Sequence, residues 1–337
     1  MKRLGCLALA LVLALALTGC GEPAQAGFFA MDTYMTVTAY GPRAQDAVTA
    51  CGIHINALER DISRTISGSD VDVLNTAHAA ELAPDTDILL ALAQEYSAVT
   101  GGAFDVTVAP LVSLWNVTGD TPHVASPAEI AALLPFVGSR HLHLDRENCR
   151  ATLDEGCAID LGGIGKGYAS DLVKNILVDN GVKRATAALG GNVMVMGGKG
   201  RNTPWTVGIQ DPADPEGYGA LLDIYDGFVV TSGGYQRYFT AEDGTVYQHI
   251  IDPATGAPAV TDLTSVTIVA DSGTMADAFS TALYVMGEAD AVAFWRSHQA
   301  DYPFDMILIT SDGRLLYTPG LSLTAPEGCP YTYQSIE

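Results

Sequence analysis

The sequence predicts a chain in which α-helices are mixed with β-strands, and two kinds of pattern support this. Between positions 44 and 62, Ala47, Cys51, Ile55 and Leu58 recur at helical spacing and fall on one face. Residues 28–40 instead alternate between apolar and polar types, as a half-buried strand does. Such periodicity identifies individual elements but leaves the arrangement of the sheet open.

The same patterns place further elements along the chain. An amphipathic helix is predicted at 86–100, where two glycines end it, and Ser126 is the expected N-cap of another at 126–134. The other helices are expected at 168–180 and 276–285. Apolar and alternating runs predict two strands within 140–160 and single strands at 184–189, 193–196, 265–270, 306–309 and 315–318.

The first twenty residues have the composition of a secretion signal. An apolar run at 7–17 follows two basic residues, is too short to span a bilayer comfortably, and ends in small residues. The sequence Leu-Thr-Gly-Cys at 17–20 resembles a lipobox, which implies cleavage before Cys20 and a diacylglycerol on its sulfur. The alternative is a plain signal peptide that ends near a chance cysteine.

These features predict three segments: a lipoprotein signal peptide at 1–19, a lipidated cysteine with a short tether at 20–27, and a single domain at 28–337. A diacylated cysteine anchors a protein stably to a membrane. We therefore expect a domain anchored to the membrane outside the cytoplasm, on the periplasmic side or on the outer face of the cell membrane.

The chain is strongly acidic, with a formal net charge of −22 at pH 7. This charge argues against nucleic acid as a partner and against charge-driven binding to anionic lipid. It also makes positive charge scarce, so a lysine inside a candidate site is informative.

The cysteines leave one pairing open. Cys149 and Cys157 flank a predicted hairpin turn and would pair in an oxidising compartment if the geometry allows, although free thiols fit the spacing equally well. No Cys-x-x-Cys or His-Glu-x-x-His motif occurs, so a zinc site has little support.

A glycine-rich stretch at 160–171, Asp-Leu-Gly-Gly-Ile-Gly-Lys-Gly-Tyr-Ala-Ser-Asp, is the strongest candidate site. Its four glycines allow a ligand to approach closely and leave amides free to bind an anion, most often phosphate, where the following helix begins. The alternative is a tight strand-to-helix turn. Gly167 after Lys166 excludes a Walker A loop, and Tyr168 excludes the dinucleotide fingerprint.

The stretch is similar, nearly residue for residue, to the Asp-Leu-Gly-Gly-Ile-Ala-Lys-Gly-Tyr signature of the ApbE family, bacterial FAD:protein FMN transferases that are often lipoproteins. The resemblance runs from position 31 to about 317, with departures from the family pattern at Asp32, Thr65, Gly234 and Thr274. Other family motifs occur in family order: Met-Asp-Thr at 31–33, Gly-Ala-Phe-Asp-Val-Thr at 102–107, Leu-Gly-Gly-Asn at 189–192, Thr-Ser-Gly-Gly-Tyr at 231–235, His-Ile-Ile-Asp-Pro-Ala-Thr-Gly-Ala-Pro at 249–258 and Ala-Asp-Ala-Phe-Ser-Thr-Ala at 276–282.

The resemblance implies an α+β fold with two related halves of antiparallel sheet and flanking helices. It also implies a reaction, the Mg²⁺-dependent transfer of FMN from FAD to a threonine hydroxyl of an acceptor protein, with release of AMP. The expected acceptors are flavoprotein subunits of membrane redox complexes, or other exported domains that carry an Asp-Gly-x-(Ser/Thr)-(Ser/Thr)-Ala-Thr motif.

The resemblance further assigns roles to residues of this chain. His249 is the expected general base, because an ordinary histidine pKa of about 6.5 suits proton removal at neutral pH, and the alternatives are Asp252 or a carboxylate that holds the metal. Asp277 and Thr281 lie four residues apart on one helical face and suit a hard cation, although Asp277 would also stabilise a first helical turn. The residues expected to contact Mg²⁺ are Gly163, Thr274, Asp277 and Thr281, and those expected to contact FAD are Met31, Thr65, Ala103, Phe104, Asp105, Asp160, Lys166 and Ile251.

Three other functions are compatible with these motifs. Water in place of threonine would make the protein an FAD pyrophosphatase that gives FMN and AMP. A lipoprotein that only stores flavin would bind FAD without releasing AMP, and a structural surface lipoprotein would bind no flavin. The sequence leaves the acceptor, the number of metal ions and the oligomeric state open.

The lipobox is tested by Cys20→Ala. Because the lipid is attached through the sulfur, we expect the variant to leave the membrane fraction while its FAD binding is unchanged. Fractionation and incorporation of labelled lipid measure the anchoring. Labelled lipid on the variant protein would contradict the assignment.

Overall fold

The structure, a computed structural model, describes residues 23–200 and 202–337. The signal peptide and Cys20 lie outside these residues, so the predictions made for them stay predictions. Within the described chain, no helix is both long and apolar enough to cross a membrane.

Strands occur along most of the described chain. In chain order they are β1 (Ala24–Ala30), β2 (Thr33–Tyr40), β3 (Ala79–Glu81), β4 (Leu142–Asp145), β5 (Arg150–Leu153), β6 (Arg184–Leu189), β7 (Asn192–Met196), β8 (Trp205–Asp211), β9 (Asp214–Ile224), β10 (Gly227–Gly233), β11 (Tyr238–Thr240), β12 (Val246–Gln248), β13 (Leu263–Ala270), β14 (Phe304–Thr310), β15 (Arg314–Tyr317), β16 (Ser322–Thr324) and β17 (Thr332–Ser335).

The helices fall between these strands. They are α1 (Ala44–Ile62), α2 (Asp70–Ala77), α3 (Pro84–Val99), α4 (Ala109–Trp115), α5 (Pro127–Leu133), α6 (Gly165–Asp179), α7 (Gly273–Met286) and α8 (Glu288–His298), with 3₁₀ turns at Val106–Val108, Leu134–Phe136 and Ser139–His141.

A nine-stranded sheet forms the centre of the protein, in the order β1-β2-β6-β7-β10-β13-β14-β15-β17. Its neighbouring strands are antiparallel, except that β15 and β17 are parallel. Smaller sheets with the orders β16-β9-β8, β3-β5-β4 and β11-β12 accompany it. The predicted α+β class, with antiparallel sheet and flanking helices, is confirmed.

The alternation of the central strands shows that both faces of the large sheet are covered. On β10, Phe228 and Val230 belong to the main core with α1, α6 and α7, whereas Val229 between them belongs to a second core. On β14, Leu308 faces the main core and Ile307 faces the second. The β16-β9-β8 sheet closes this second core with Val207, Ile209, Ala220 and Leu222.

The first strands differ from the prediction. Residues 28–40 form the end of β1, a turn and β2 rather than one strand, because Met31 and Asp32 take up left-handed backbone angles, with φ of 50° and 57°. Without glycine or asparagine the sequence gives little sign of this two-residue turn. The sheet also begins at Ala24, inside the segment expected to be a tether.

The open question about Cys149 and Cys157 is resolved in favour of free thiols. Both cysteines are unpaired in the structure. Cys157 is buried in the main core, whereas Cys149 is exposed in the turn between β4 and β5. A disulfide between them is therefore absent.

Two glycines allow α6 and α7 to cross in direct contact. A Cβ built on Gly167 would lie 2.3 Å from the carbonyl oxygen of Gly273, and one built on Gly273 would lie 2.7 Å from the carbonyl oxygen of Gly167. Gly165 and Gly167 lie inside the first turn of α6, which begins three residues before the predicted helix. Close helix packing, rather than ligand approach alone, thus accounts for part of the glycine-rich stretch.

Each of the two crossing helices places an aspartate carboxylate against the first turn of the other. The Gly167 amide donates to Asp277 Oδ2 at 2.8 Å, and the Gly273 amide donates to Asp171 Oδ1 at 2.8 Å. Each aspartate stands four residues after the contact glycine of its own helix and accepts from the first turn of the other. Since helix N-termini carry partial positive charge, each carboxylate stabilises its neighbour. The two hydrogen bonds are therefore reciprocal, with each helix supplying one amide and one carboxylate.

The helix crossing is tested by Gly167→Ala. The added methyl group would meet backbone that cannot rotate away, so we expect the free energy of unfolding to fall by about 1–3 kcal/mol. Gly52→Ala is the matched control, because Gly52 lies in the interior of α1. A Cβ at this position would meet only the Phe28 ring, at 3.5 Å. Alanine there should stabilise the helix by about 0.5–1 kcal/mol. Urea denaturation compares the two, and equal stabilities would contradict the packing argument.

Candidate functional site

The candidate site lies where the N-terminus of α6 meets α7 and the end of β10. Asp277 accepts the Gly167 amide, and one turn later Thr281 Oγ1 is 3.3 Å from Ser232 Oγ. A Cβ built on Gly163 would lie 3.7 Å from Thr281 Oγ1, so the glycine-rich stretch passes close to that hydroxyl. The structure therefore brings together three of the four predicted cation ligands: Gly163, Asp277 and Thr281.

Asp277 has one oxygen available to a ligand. Its side chain is 3 % exposed, Oδ2 is bonded to Gly167, and no hydrogen bond from residues 23–200 or 202–337 reaches Oδ1. The N-cap of α7 is Ser272, whose hydroxyl accepts from the Met275 amide at 3.3 Å. The alternative that Asp277 stabilises the first turn of its own helix is therefore wrong, because the turn it stabilises belongs to α6.

The donor set around Asp277 fits a hard cation better than a soft one. In the described part of the chain, no group of three or more His, Cys, Asp and Glu side chains is placed to hold a metal. Zinc sites need such a group, whereas Mg²⁺ uses one or two carboxylates and completes its shell with water and substrate phosphates. One free carboxylate oxygen beside the Thr281 hydroxyl matches the second description.

Thr274 has a partner other than the predicted one. Its hydroxyl donates to Asp171 Oδ2 at 2.6 Å and its amide donates to the same oxygen at 2.9 Å. The residue is 2 % exposed and lies at the start of α7, before Asp277. Its side chain thus fastens α7 to α6, and the structure gives no support to Thr274 as a cation ligand.

The N-terminus of α6 is suited to an anion. The Gly165 amide bonds to the Leu161 carbonyl, but the amides of Gly163 and Lys166 have no partner among residues 23–200 and 202–337. The Lys166 ammonium, half-buried, donates to the Gly162 carbonyl at 3.2 Å and so stays beside these amides. Two free amides, a helix N-terminus and an ammonium form a site for phosphate.

Asp160 is held by a residue that the sequence did not single out. Its Oδ1 accepts from the Gly162 amide at 2.8 Å, and its Oδ2 forms an ion pair with Arg64 Nε at 3.0 Å. Arg64 is next to the predicted FAD contact Thr65, which is exposed, with its amide bonded to Ser63 Oγ. The sequence offered one indication of this role for Arg64: a basic residue, which is scarce in so acidic a chain, stands beside a family motif position.

The predicted FAD contacts at 103–105 make contacts within the fold. Asp105 accepts four hydrogen bonds, from the amide and hydroxyl of Thr107, from Ser97 Oγ and from the Ser139 amide. Phe104 is buried in the main core, and half-buried Ala103 packs against it. The side chain of Asp105 therefore caps a 3₁₀ turn, which favours the structural alternative for this residue.

His249 follows β12 with its ring held by backbone. Its amide nitrogen and its ring Nδ1 are each 3.1 Å from the Arg237 carbonyl oxygen. Because a carbonyl only accepts, Nδ1 carries the proton and Nε2 is the basic nitrogen. Burial, together with the positive charges of Arg237 and Lys166, lowers the pKa of His249 to about 4. The hydrogen bond to the Arg237 carbonyl has the opposite effect and raises the pKa. The imidazole is therefore neutral at pH 7 and able to accept a proton.

The alternative base, Asp252, is engaged in the turn that follows His249. Its Oδ1 accepts from the Ala254 amide and its Oδ2 from the Thr255 hydroxyl, each at 2.9 Å. Ile251 lies between His249 and Asp252 in the sequence, and its side chain belongs to a third apolar cluster with Leu111, Trp115 and Val137. Contact of Ile251 with a flavin nucleotide would therefore come from its backbone, and both Asp252 oxygens already accept hydrogen bonds within the turn.

Met31 is held in a strained conformation. It has φ of 50°, and its amide donates to the Glu59 carboxylate of α1 at 2.6 Å. The next residue but one, Thr33, lies against Gly190 in the turn between β6 and β7. Left-handed angles are costly for a methionine, and such strain concentrates at functional positions. Glu59, absent from the sequence prediction, fixes the turn.

The departure from the family pattern at Gly234 has a physical reason. A Cβ built on Gly234 would lie 2.5 Å from the hydroxyl of Tyr284, a residue of α7. Burial raises the pKa of Tyr284, and the Gly234 backbone beside the hydroxyl acts in the opposite direction. The tyrosine thus fills the space that an acidic side chain would need.

Comparison with known proteins agrees with the family resemblance of the sequence. The ApbE family model matches residues 31–304. The chain belongs to the ApbE family. An FAD:protein FMN transferase of Klebsiella pneumoniae (strain 342) is 33 % identical over 267 residues, which cover 76 % of this chain and 82 % of that protein. One from Rhodobacter capsulatus is 34 % identical over 314 residues, 89 % of this chain and 58 % of that protein.

Solved ApbE structures share the fold. The ApbE protein of Thermotoga maritima has a TM-score of 0.78 at 31 % identity, covering 91 % of this chain and 97 % of that one. The flavinyl transferase ApbE of Pseudomonas stutzeri, in its apo form, has a TM-score of 0.77 at 27 % identity, covering 91 % and 95 %. The named relatives in this family are enzymes of the transferase class, and this chain is a transferase of the same family.

The electrostatic link between Lys166 and His249 is tested by Lys166→Ala. A positive neighbour disfavours the imidazolium, so its removal should raise the pKa of His249 from about 4 towards the ordinary value. The melting temperature should change little, since the lysine makes one long bond to Gly162. Histidine NMR titration measures the pKa, with Lys183→Ala, an exposed lysine, as control. An unchanged His249 pKa would contradict the link.

Proposed function

We propose that this chain transfers FMN from FAD to a threonine hydroxyl of an exported or membrane-bound flavoprotein, releases AMP and requires Mg²⁺. The hydrogen bond between Gly167 and Asp277 carries the proposal, because it joins an anion site to a cation site. Lys166 and two free amides lie on one side, and the free Asp277 oxygen and Thr281 on the other. A pyrophosphate bound with Mg²⁺ needs both sites next to each other.

In the proposed reaction, the threonine oxygen attacks the phosphorus that carries the riboflavin part of FAD. A P–O bond forms to threonine, the pyrophosphate P–O bond breaks, and its electron pair leaves on AMP. The hydroxyl proton passes to Nε2 of His249, which is neutral at pH 7. Lys166 and the free amides bind the phosphates and stabilise the charge that develops on the leaving group. Mg²⁺ held by Asp277 and Thr281 would neutralise charge on the pyrophosphate.

The lipid anchor sets where this reaction occurs. Diacylglycerol on Cys20 would keep the domain at the membrane outside the cytoplasm. Exported domains and membrane redox subunits with an Asp-Gly-x-(Ser/Thr)-(Ser/Thr)-Ala-Thr motif are the acceptors that such a location favours.

The reaction is tested with the protein, FAD, Mg²⁺ and an acceptor carrying the motif. Mass spectrometry of the acceptor and chromatography of the nucleotides should show covalent FMN and AMP in equal amounts. An acceptor with its threonine changed to alanine should give neither. AMP with free FMN in the absence of acceptor would indicate an FAD pyrophosphatase, and FAD binding without AMP would indicate a storage protein.

The cation site is tested by Asp277→Asn. Asparagine keeps an oxygen for the Gly167 amide but removes the charge that binds a hard cation. We expect FMN transfer to fall by about two orders of magnitude or more while FAD still binds, because Mg²⁺ acts mainly on transition-state charge. Higher Mg²⁺ should restore part of the activity.

Asp171→Asn is the matched control for that variant. It removes the reciprocal carboxylate, which accepts from Gly273 and Thr274 and faces no proposed cation. Its stability should fall, but its Mg²⁺ concentration for half-maximal transfer should stay unchanged when assayed below the melting temperature. Full activity of Asp277→Asn would refute the cation site.

A further inference from the structure

One end of the large sheet concentrates basic and aromatic side chains. This end comprises the start of β1, the end of β2 and the start of β6, where Ala24 pairs with Ala39 and Tyr40 pairs with Arg184. We call it the basic–aromatic corner, and its residues are Arg43, Lys183, Arg184 and Lys199 with Tyr40, Trp205 and Tyr225.

The side chains of the corner are ordered by contacts with one another. The Arg184 guanidinium carbon lies 3.9 Å from the centre of the Tyr40 ring, and its Nη1 donates to the Lys199 carbonyl at 3.4 Å. The rings of Tyr40 and Trp205 are 6.3 Å apart, and Trp205 Nε1 donates to a backbone carbonyl of β7. Arg43 donates to Asn180 at 2.8 Å, beyond the end of α6. These contacts hold the side chains of the corner in defined positions.

The charge of the corner contrasts with that of the whole chain. Arg43, Lys183 and Lys199 are exposed, and the acids at this end include Asp46, Asp179 and Asp226. Asp226 is bonded to the Gly197 amide at 2.8 Å. Arg43, Lys183, Arg184 and Lys199 thus place four basic residues at the corner of a protein whose net charge is −22. An anionic surface would repel the rest of the molecule more strongly than this end.

The sequence brings the lipid anchor to the same end. β1 begins at Ala24, four residues after Cys20. A fully extended chain spans at most about 3.3–3.6 Å per residue, so an anchor on Cys20 would lie within about 14 Å of Ala24. This step rests on the proposed lipidation of Cys20, and it requires the corner to be close to the bilayer.

We propose that the basic–aromatic corner lies against the anionic headgroups of the membrane that holds the anchor. Lysine and arginine attract anionic lipid, and tryptophan and tyrosine prefer the interface between lipid and water. A lipid chain combined with such a surface binds a membrane in one orientation, whereas a lipid on a free tether does not.

This orientation sets the direction of the active site. α6 runs from Gly165 at the candidate site to Asp179 at the corner, a length of about 22 Å for 15 residues. The turn with Met31 is likewise at the end of β1 opposite Ala24. The site therefore faces away from the bilayer, at a height where a folded acceptor domain can reach it.

Trp205 fluorescence tests the orientation in the full-length, lipidated protein. The sequence has three tryptophans, and the other two, Trp115 and Trp295, are 3 % and 8 % exposed. In vesicles of phosphatidylglycerol and phosphatidylcholine with a headgroup quencher, we expect quenching that disappears in Trp205→Phe. Flotation of the vesicles establishes beforehand that the protein is anchored.

Charge reversal separates the corner from the anchor. Lys183→Glu with Lys199→Glu should reduce the Trp205 quenching about twofold or more, since each basic residue near an anionic surface contributes to binding. Arg150→Glu with Arg296→Glu changes the net charge equally at exposed sites away from the corner and should leave the quenching unchanged.

The outcomes also separate this proposal from the proposed function. Protein that floats with the vesicles but shows no Trp205 quenching, or equal quenching in both double variants, would overturn the orientation. Protein that does not float would overturn the anchor and the orientation together. FMN transfer is measured separately in detergent with soluble acceptor, so its absence would refute the function alone.

Discussion

The pair of reciprocal hydrogen bonds between first-turn amides and aspartates of α6 and α7 is the interaction on which the rest of the structure depends. Two helix N-termini meet at Gly167 and Gly273, and their partial positive charges would repel without a compensating acid. Asp171 and Asp277 supply that compensation, each from the opposite helix. Asp277 needs only one oxygen for this purpose. The second oxygen is left for a ligand, so in the proposed function one residue serves both the fold and cation binding.

Local pattern was sufficient to predict elements whose signal lies in a single stretch. α1 has the predicted bounds, and Ser126 caps its helix with a full capping box. The turn at Met31 and Asp32 was missed, because the conformation is imposed by Glu59 and by packing on Gly190 rather than by turn-forming residues. Sequence pattern does not report such distant contacts.

The same distinction holds for the site. The motifs identified His249, Lys166, Asp277 and Thr281, since each of them stands in a contiguous family pattern. The contacts between predicted site residues and separate parts of the chain were not predicted: Arg64 with Asp160, Arg237 with His249, Ser232 with Thr281 and Asp171 with Thr274. For Thr274 the structure shows a bond from its hydroxyl to Asp171, and its predicted role as a cation ligand stays a prediction.

The basicity of His249 is coupled to what occupies the anion site. The positive charges of Lys166 and Arg237 help to keep its pKa at about 4 in the free protein. In the proposed reaction, a bound pyrophosphate would bring negative charge next to Lys166 and oppose that effect, so the imidazole would become a stronger base when the substrate is present. The residue is thus least basic when there is nothing to deprotonate.

The free cysteines have a consequence for how the protein matures. Burial raises the pKa of the Cys51 thiol to about 12 and also raises the pKa of Cys157, so neither forms much of the reactive thiolate at neutral pH. The described domain closes its cores with apolar side chains and has no cross-link to form. Folding of the described domain therefore requires neither an oxidant nor a disulfide isomerase.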